Sequence, residues 1–290
     1  MSRRAHVAAD DWEGVSVGLI YGALTSLSIG VSDLFGRRVV NARGPVVTGA
    51  TMQFVAFLTS LVAVGTVSSR FVVGDFLVGL ASGIGIGVGL WGYFSGLERS
   101  SSAVVAPIVA TLSATIPYGY AVIRGASPAV LAVLGAGVAL IGLVVITLGG
   151  GRTEAMAAGL KWGVISGLGY GFGLSVVIET NSDSGAWPSV GQRLTAFALM
   201  AAIATRLRID PRPPPGLRLA AIAAGIAAGF STVFFLFGVQ ADATSAVVMA
   251  SLFPAVSVVV GRFVYSDEVM PRQIAGIGIV LLGVIGVSIA

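Results

Sequence analysis

The sequence predicts an all-α membrane protein of ten transmembrane helices, arranged as two inverted five-helix repeats. Three observations carry that expectation. Of the 290 residues, 56% are hydrophobic and 10% charged, with a mean hydropathy of +0.95. Ordinary soluble domains are about 25% charged, so this chain lacks the polar surface to face water, and lipid must solvate most of it. Its apolar runs also come at the length of about 20 residues that one bilayer crossing needs, and ten of them fit the chain with short loops. Finally, the chain repeats itself. Ser102-Ala103-Val104-Val105 returns as Ser245-Ala246-Val247-Val248, and Gly135-Ala136-Gly137-Val138-Ala139-Leu140-Ile141-Gly142 is matched by Gly276-Ile277-Gly278-Ile279-Val280-Leu281-Leu282-Gly283. The offsets, 245 − 102 = 143 and 276 − 135 = 141, are close to half the length, as a duplicated unit requires.

Taken in order, residues 1–14 form a polar N-terminal tail. Ser2-Arg3-Arg4 resembles the start of a twin-arginine signal, but Asp10, Asp11 and Glu13 separate it from the first apolar run and no small-residue cleavage site follows. The tail is therefore read as uncleaved. The first repeat, 15–149, holds spans at about 15–35, 45–67, 76–97, 103–123 and 130–148, with Arg37-Arg38 closing the first. Gly149-Gly150-Gly151-Arg152 interrupts the apolar pattern, which makes 150–158 a linker. The second repeat, 159–290, holds spans at about 159–178, 190–204, 219–238, 245–265 and 274–290. Between its second and third spans, 206–218 carries Pro211, Pro213, Pro214 and Pro215. That run cannot be helical and is too polar for hydrocarbon, so it is an extramembrane loop. Five spans per half is an odd number, so the second half must enter the membrane with the opposite orientation, the architecture of many secondary transporters.

Glycine recurs at intervals of four: Gly79, Gly83 and Gly87; Gly163, Gly167 and Gly171; Gly225 and Gly229. Small residues let backbones approach where hydrophobic drive between helices is weak. Gly87-x-Gly89-x-x-Gly92 formally matches a dinucleotide fingerprint, but it lies inside an apolar helix without the strand that motif requires.

Several function classes are excluded by what the sequence lacks. It has no cysteine, and its one histidine, His6, lies in the tail, so thiol chemistry, a metal site and a cofactor are not expected. There is no HExxH, no pair of intramembrane aspartates and no Walker-type phosphate loop, so neither an intramembrane enzyme nor an ATP-driven pump is expected. The net charge of +4 is loop arginine that orients a membrane protein rather than a nucleic-acid surface.

Around the fourth span of the second half the chain reads Leu252-Phe253-Pro254, with Glu268, Gln273, Gly276 and Gly283 beyond it. With the doubled five-span halves, this resembles the drug/metabolite transporter superfamily, in particular its EamA-type members. The resemblance implies a ten-helix carrier in the plasma (inner) membrane, with a small-molecule substrate bound between the halves. It does not imply which substrate. The first half departs from the pattern: Gly125 stands near the position of the acid, and 129–131 offers no glutamine.

Ionisable groups inside a bilayer are costly and are functional candidates by default. Asp33 ends the first span and Glu179 the sixth; the Gly18/Gly163 offset of 145 maps Asp33 to position 178, so the two acids are near-equivalent. Both are coupling candidates, with Arg193 at the start of the seventh span, whose counterpart at an offset of 140 is Gln53. The competing readings are a surface pair of Asp33 with Arg37 at helical i,i+4 spacing, and an Arg193 that snorkels to the interface or pairs with Glu179. Substrate-binding candidates are Ser28, Trp91, Thr111, Thr115, Tyr118, Tyr170, Ser231 and Pro254. Thr111, Thr115 and Tyr118 share one helical face, and Pro254 frees the carbonyl of Ala250. Their bland alternatives are hydroxyls bonded to their own helix and aromatic rings anchored at the membrane interface.

The function expected is a secondary transporter, an exporter of small metabolites or drug-like solutes by alternating access. The alternative is a non-transporting membrane scaffold or receptor, which needs no polar path through the bundle. Proton coupling and uncoupled export both stay open, as do monomer and homodimer. The charge bias of the loops puts both termini outside, whereas the resemblance implies both inside.

Overall fold

The computed structural model describes the backbone of residues 2–125, 130–149, 153–250 and 252–288, with side chains from residue 17 onward at all but a few of these positions. The Gly150-Gly151-Arg152 break, and with it the start of the expected linker, lies outside the described residues. The chain is 87% helix, with no strand among the described residues. The helices are α1 (Ser2–Thr66), α2 (Val73–Arg99), α3 (Ser102–Ile123), α4 (Val130–Gly149), α5 (Glu154–Val177), α6 (Trp187–Arg206), α7 (Arg218–Ala250), α8 (Phe253–Val264) and α9 (Pro271–Ser288). Among the described residues, four stretches are long and apolar enough to cross a membrane by length and composition, and four shorter apolar helices accompany them.

Two of these helices contain a corner. Gly44, at φ 78° and ψ 174°, folds α1 into two arms, and Pro45 follows it. A positive φ is open to glycine at little steric cost, and proline disfavours helix at the residue before it. Each arm is long enough for a crossing at 1.5 Å per residue. The sequence pattern ends the first span at Arg37-Arg38; the helix instead runs on to Gly44, because no breaker precedes that glycine, and Arg37 is buried. In α7 the corner is Asp242, whose extended φ of −155° and ψ of 107° divide it into 218–241 and 243–250.

Glycine decides which helices touch. α2 lies between α5 and α6 and presents a different glycine row to each. A Cβ at Gly85 would sit 2.6 Å from Gly169 O and from Gly173 N of α5, and one at Gly87 would meet Leu199 and Ala196 of α6. α3 packs on α5 by knobs and holes at matched spacing: Ile108, Leu112 and Ile116 fill the gaps left by Gly163, Gly167 and Gly171. α7 lies on both arms of α1, with Gly225 against Met52 and Val55, Gly229 against Thr59, and Gly238 against Tyr21. α4 and α9 pair along their length, Gly142 against Gly276 and Val280, and Gly283 against Gly135 and Ala139. Leu27, Leu77, Leu134, Ile141 and Leu282 stand exposed on the outside, as expected where the solvent is lipid.

Candidate functional site

Two of the buried polar clusters gather the charged candidates; elsewhere Asp75 accepts from Ser184 and Asn181, and Gln192 donates to Ser82. The first forms where the first arm of α1 meets α2, α3 and α8. Asp33 is buried there and accepts hydrogen bonds from Tyr93 Oη, at 2.6 Å, and from Ser257 Oγ. Its i,i+4 neighbour Arg37 does not pair with it. Arg37 forks onto Asp267, in the turn after α8, with Nη1–Oδ2 at 2.7 Å and Nη2–Oδ1 at 2.8 Å. Such bidentate charge-assisted pairs are among the strongest hydrogen bonds in proteins. The Ser102 backbone N–H, at 3.0 Å, and its hydroxyl, at 2.9 Å, also donate to Asp267 Oδ2. The Tyr265 ring covers the Arg37 guanidinium, 4.7 Å from ring centroid to Cζ, and the Tyr265 hydroxyl donates to the Leu34 carbonyl. The backbone makes room for this lock at Gly261, where a Cβ would come 2.6 Å from Asp267 Oδ2. Against the lock lies a small gap of about 10 Å³, about the room of one water, lined by Asp33, Arg37, Tyr93, Leu97, Ser257 and Val260 among others.

The second cluster joins α6, α7 and the second arm of α1. Arg193 Nη1 donates to Gln53 Oε1 at 3.0 Å, and Nη2 donates to Thr232 Oγ1 at 2.9 Å. Gln53 is fully buried. Arg193 therefore neither snorkels nor reaches Glu179; it turns inward to Gln53, the counterpart expected from the offset of 140. Tyr170, packed against Gly89, lies within electrostatic reach of both Arg193 and Asp33.

A third feature is the interruption between α7 and α8. Pro254 stands in the first turn of α8 and has no N–H to give the preceding turn. The Ala250 carbonyl this leaves over is met from another helix: Ser26 Oγ donates to it at 2.9 Å and, at 2.6 Å, to Met249 O, which also accepts from the Leu252 N–H. A crossing interrupted in this way survives in lipid only where its freed backbone groups are buried in protein or face a water-filled cavity.

The other candidates scatter. Thr111 and Thr115 bond to their own helix, at Pro107 O (2.9 Å) and Thr111 O (2.8 Å), and Ser231 does the same at Ala228 O (2.8 Å). The side chain of Tyr118 lies outside the described residues. Trp91 packs edge-on against Trp162 at 5.0 Å. Ser28 lies in an apolar groove between α1 and α7 beside Leu24, Leu27, Phe230 and Phe234. Glu179 is not brought to Asp33; at the end of α5 it is exposed, accepting from Tyr120 Oη at 2.7 Å and from Arg124 at 3.3 Å. Among the described residues no group of acids and histidine is placed to hold a metal ion.

Sequence reasoning missed Arg37, Asp267, Tyr93, Ser257 and Ser26. It points to Glu268 as the acid of interest, but Glu268 is exposed and its neighbour Asp267 is buried. The available signal was an acid five residues after an arginine, Arg262 and Asp267, in a polar turn that follows a glycine.

An apolar helical bundle with buried polar groups and an interrupted helix is the architecture of a multi-pass membrane protein. Residues 157–289 match the EamA-like transporter family, so the chain carries an EamA-like transporter domain, consistent with the drug/metabolite transporter superfamily. Members of that family are transporters, not enzymes. No curated protein matches the chain. A solved structure described only as "Crystal structure of protein" has a similar fold, with a TM-score of 0.65 and 18% identity over 94% of this chain and 97% of that one.

Proposed function

We propose that the protein is a secondary transporter of the plasma membrane, exporting small organic solutes by alternating access between two inverted five-helix halves, 15–149 and 159–290. Reciprocal contacts support the inverted repeat. On a two-fold axis, residue i meets j while the counterpart of j meets the counterpart of i. Gly135 and Gly276 are counterparts at the offset of 141, as are Gly142 and Gly283, and the contacts observed are Gly142 with Gly276 and Gly135 with Gly283. α2 laid on α6 likewise answers α7 laid on the second arm of α1. With the corners at Gly44 and Asp242 counted as loops, and 243–250 joined to α8 across its break, the chain makes ten crossings.

The observation that carries alternating access is a pair of unequal ends. Arg37 and Asp267 are 10% and 7% exposed. At the corresponding end of the other half, after α5 and after α3, Glu179 and Arg124 form an ion pair of reversed sense that is 37% and 63% exposed. One end is locked over Asp33 while the corresponding end is loose, as one half-cycle of a rocking carrier requires. Asp33, which keeps no cationic partner within ion-pair distance, is the coupling residue of choice if protons drive export. A scaffold needs neither the buried acid nor unequal ends.

The test is flux. Purified protein in liposomes, loaded with the solutes that accumulate in cells lacking the gene, should release them in a saturable manner. Release no faster than from empty liposomes, for every such solute, would leave the scaffold reading in its place.

A further inference from the structure

We propose that Arg193 and Gln53 form a subsite for the carboxylate of the transported solute; the proposal rests on the transport reading above. Arg193 lies six residues beyond Trp187, the first residue of α6, about 9 Å along the axis at 1.5 Å per residue. It is thus well below the helix end, where a lipid headgroup would sit. Its three acceptors are neutral: Gln53 Oε1, Thr232 Oγ1 and, at 3.5 Å, the Ala228 carbonyl. Among the described residues no carboxylate stands within ion-pair distance of it. Asp33 is engaged with Tyr93 and Ser257, and Asp267 with Arg37. Arg193 is partly buried, and a cation held inside a membrane bundle without a counter-charge is costly and is kept where something supplies that charge.

The donors left over say what that something is. Arg193 Nε and Gln53 Nε2 are both buried and both without a hydrogen-bond partner. The 3.0 Å Nη1–Oε1 contact joins the two side chains, so both unpaired nitrogens belong to one buried polar cluster. Both are donors only, in a site where an unpaired donor is expensive. A water or a neutral carbonyl would satisfy hydrogen bonding but leave the charge. A carboxylate satisfies both, with one oxygen for each nitrogen.

Binding is read as a shift in Tm, followed by intrinsic tryptophan fluorescence on the full chain in phosphatidylcholine nanodiscs, with phenylacetate as probe and phenylacetamide as its uncharged isostere. Phenylacetate is expected to raise the Tm saturably and phenylacetamide to leave it unchanged. Arg193→Gln and Gln53→Leu should each weaken the phenylacetate response at least tenfold, with Arg193→Lys between them and the wild type. Gln53→Leu keeps the test open if the arginine variant does not fold. Equal responses to acid and amide, a phenylacetate response unchanged in the variants, or no response to phenylacetate overturns the proposal. So does stabilisation by phosphatidylglycerol in place of phosphatidylcholine without any effect of the solute, which would assign the donors to a headgroup. Flux of both probes separates this from the transport reading. Carriage without preference for the acid removes the subsite and leaves the carrier, whereas acid-selective binding without flux keeps the subsite and removes the carrier.

Discussion

At the scale of single residues, Asp33 and Asp267 are both buried acids with opposite roles. Asp33 accepts from two hydroxyls and has no cation; Asp267 is neutralised by Arg37 and two donors from Ser102. Asp33→Asn keeps the shape and an acceptor oxygen but removes the group that titrates. The variant is expected to fold with a Tm close to wild type while the pH dependence of flux disappears; an unchanged pH profile would remove Asp33 as a coupler. Asp267→Ala leaves a buried guanidinium unpaired, a loss of about 3–5 kcal/mol for such pairs. The double variant Arg37→Met, Asp267→Leu should recover most of it, because replacing a buried pair by apolar side chains is often neutral. Thermal unfolding of the three proteins checks this, with Glu268→Ala as an expected neutral control. The sequence made Asp33 legible, because an acid inside an apolar run stands out. It did not make Asp267 legible, because two acids sat side by side and only three-dimensional packing distinguishes them.

At the scale of elements, the glycine rows were legible as contact faces, but their partners were not. Gly85 and Gly87 are on one helix and face different neighbours, and the rotation that separates them depends on where α5 and α6 lie. Pro254 announced the helix break; the serine that answers it sits 224 residues away from Ala250 in the chain, a distance no local pattern spans. Ser26→Ala should therefore cost about 1–3 kcal/mol, the range for leaving a buried acceptor unsatisfied, whereas Ser26→Thr, which keeps the hydroxyl, should lose less. A Tm equal to wild type for Ser26→Ala would mean that water already serves those carbonyls. The end of the first arm of α1 escapes a sequence reading because two adjacent arginines look like a loop, whereas helices stop at backbone breakers, and Gly44 with Pro45 is the first such pair.

At the scale of the molecule, the unequal ends make a prediction that the absence of native cysteine keeps clean. A single cysteine at Arg124 should react quickly with a water-soluble maleimide in the resting protein, and one at Ser257, beneath the Arg37–Asp267 lock, should react slowly. An imposed gradient of transported solute should speed labelling at Ser257 and slow it at Arg124. Labelling of both sites that is indifferent to the gradient would speak against rocking. Two anchor strings in the sequence raise the expectation of a duplication, and with it of symmetry. Which end is closed was not legible, since a repeat in sequence treats its halves alike.

Under the proposed duplication, the contact between Arg193 and Gln53 bears on how the two halves diverged. In a dimer of two identical chains, a residue beside the two-fold axis meets its own copy. Glutamine tolerates that encounter, since an amide both donates and accepts; arginine does not, because two guanidiniums repel and neither can accept. Position 193 could become arginine only once position 53 was free to remain something else, that is, after the two halves were encoded separately within one gene. The reversed sense of the two end pairs needs the same freedom. On the proposed repeat, a chain rebuilt from two copies of its second half would set Arg193 against Arg193, so the divergence at this one position closes the way back to a symmetric assembly.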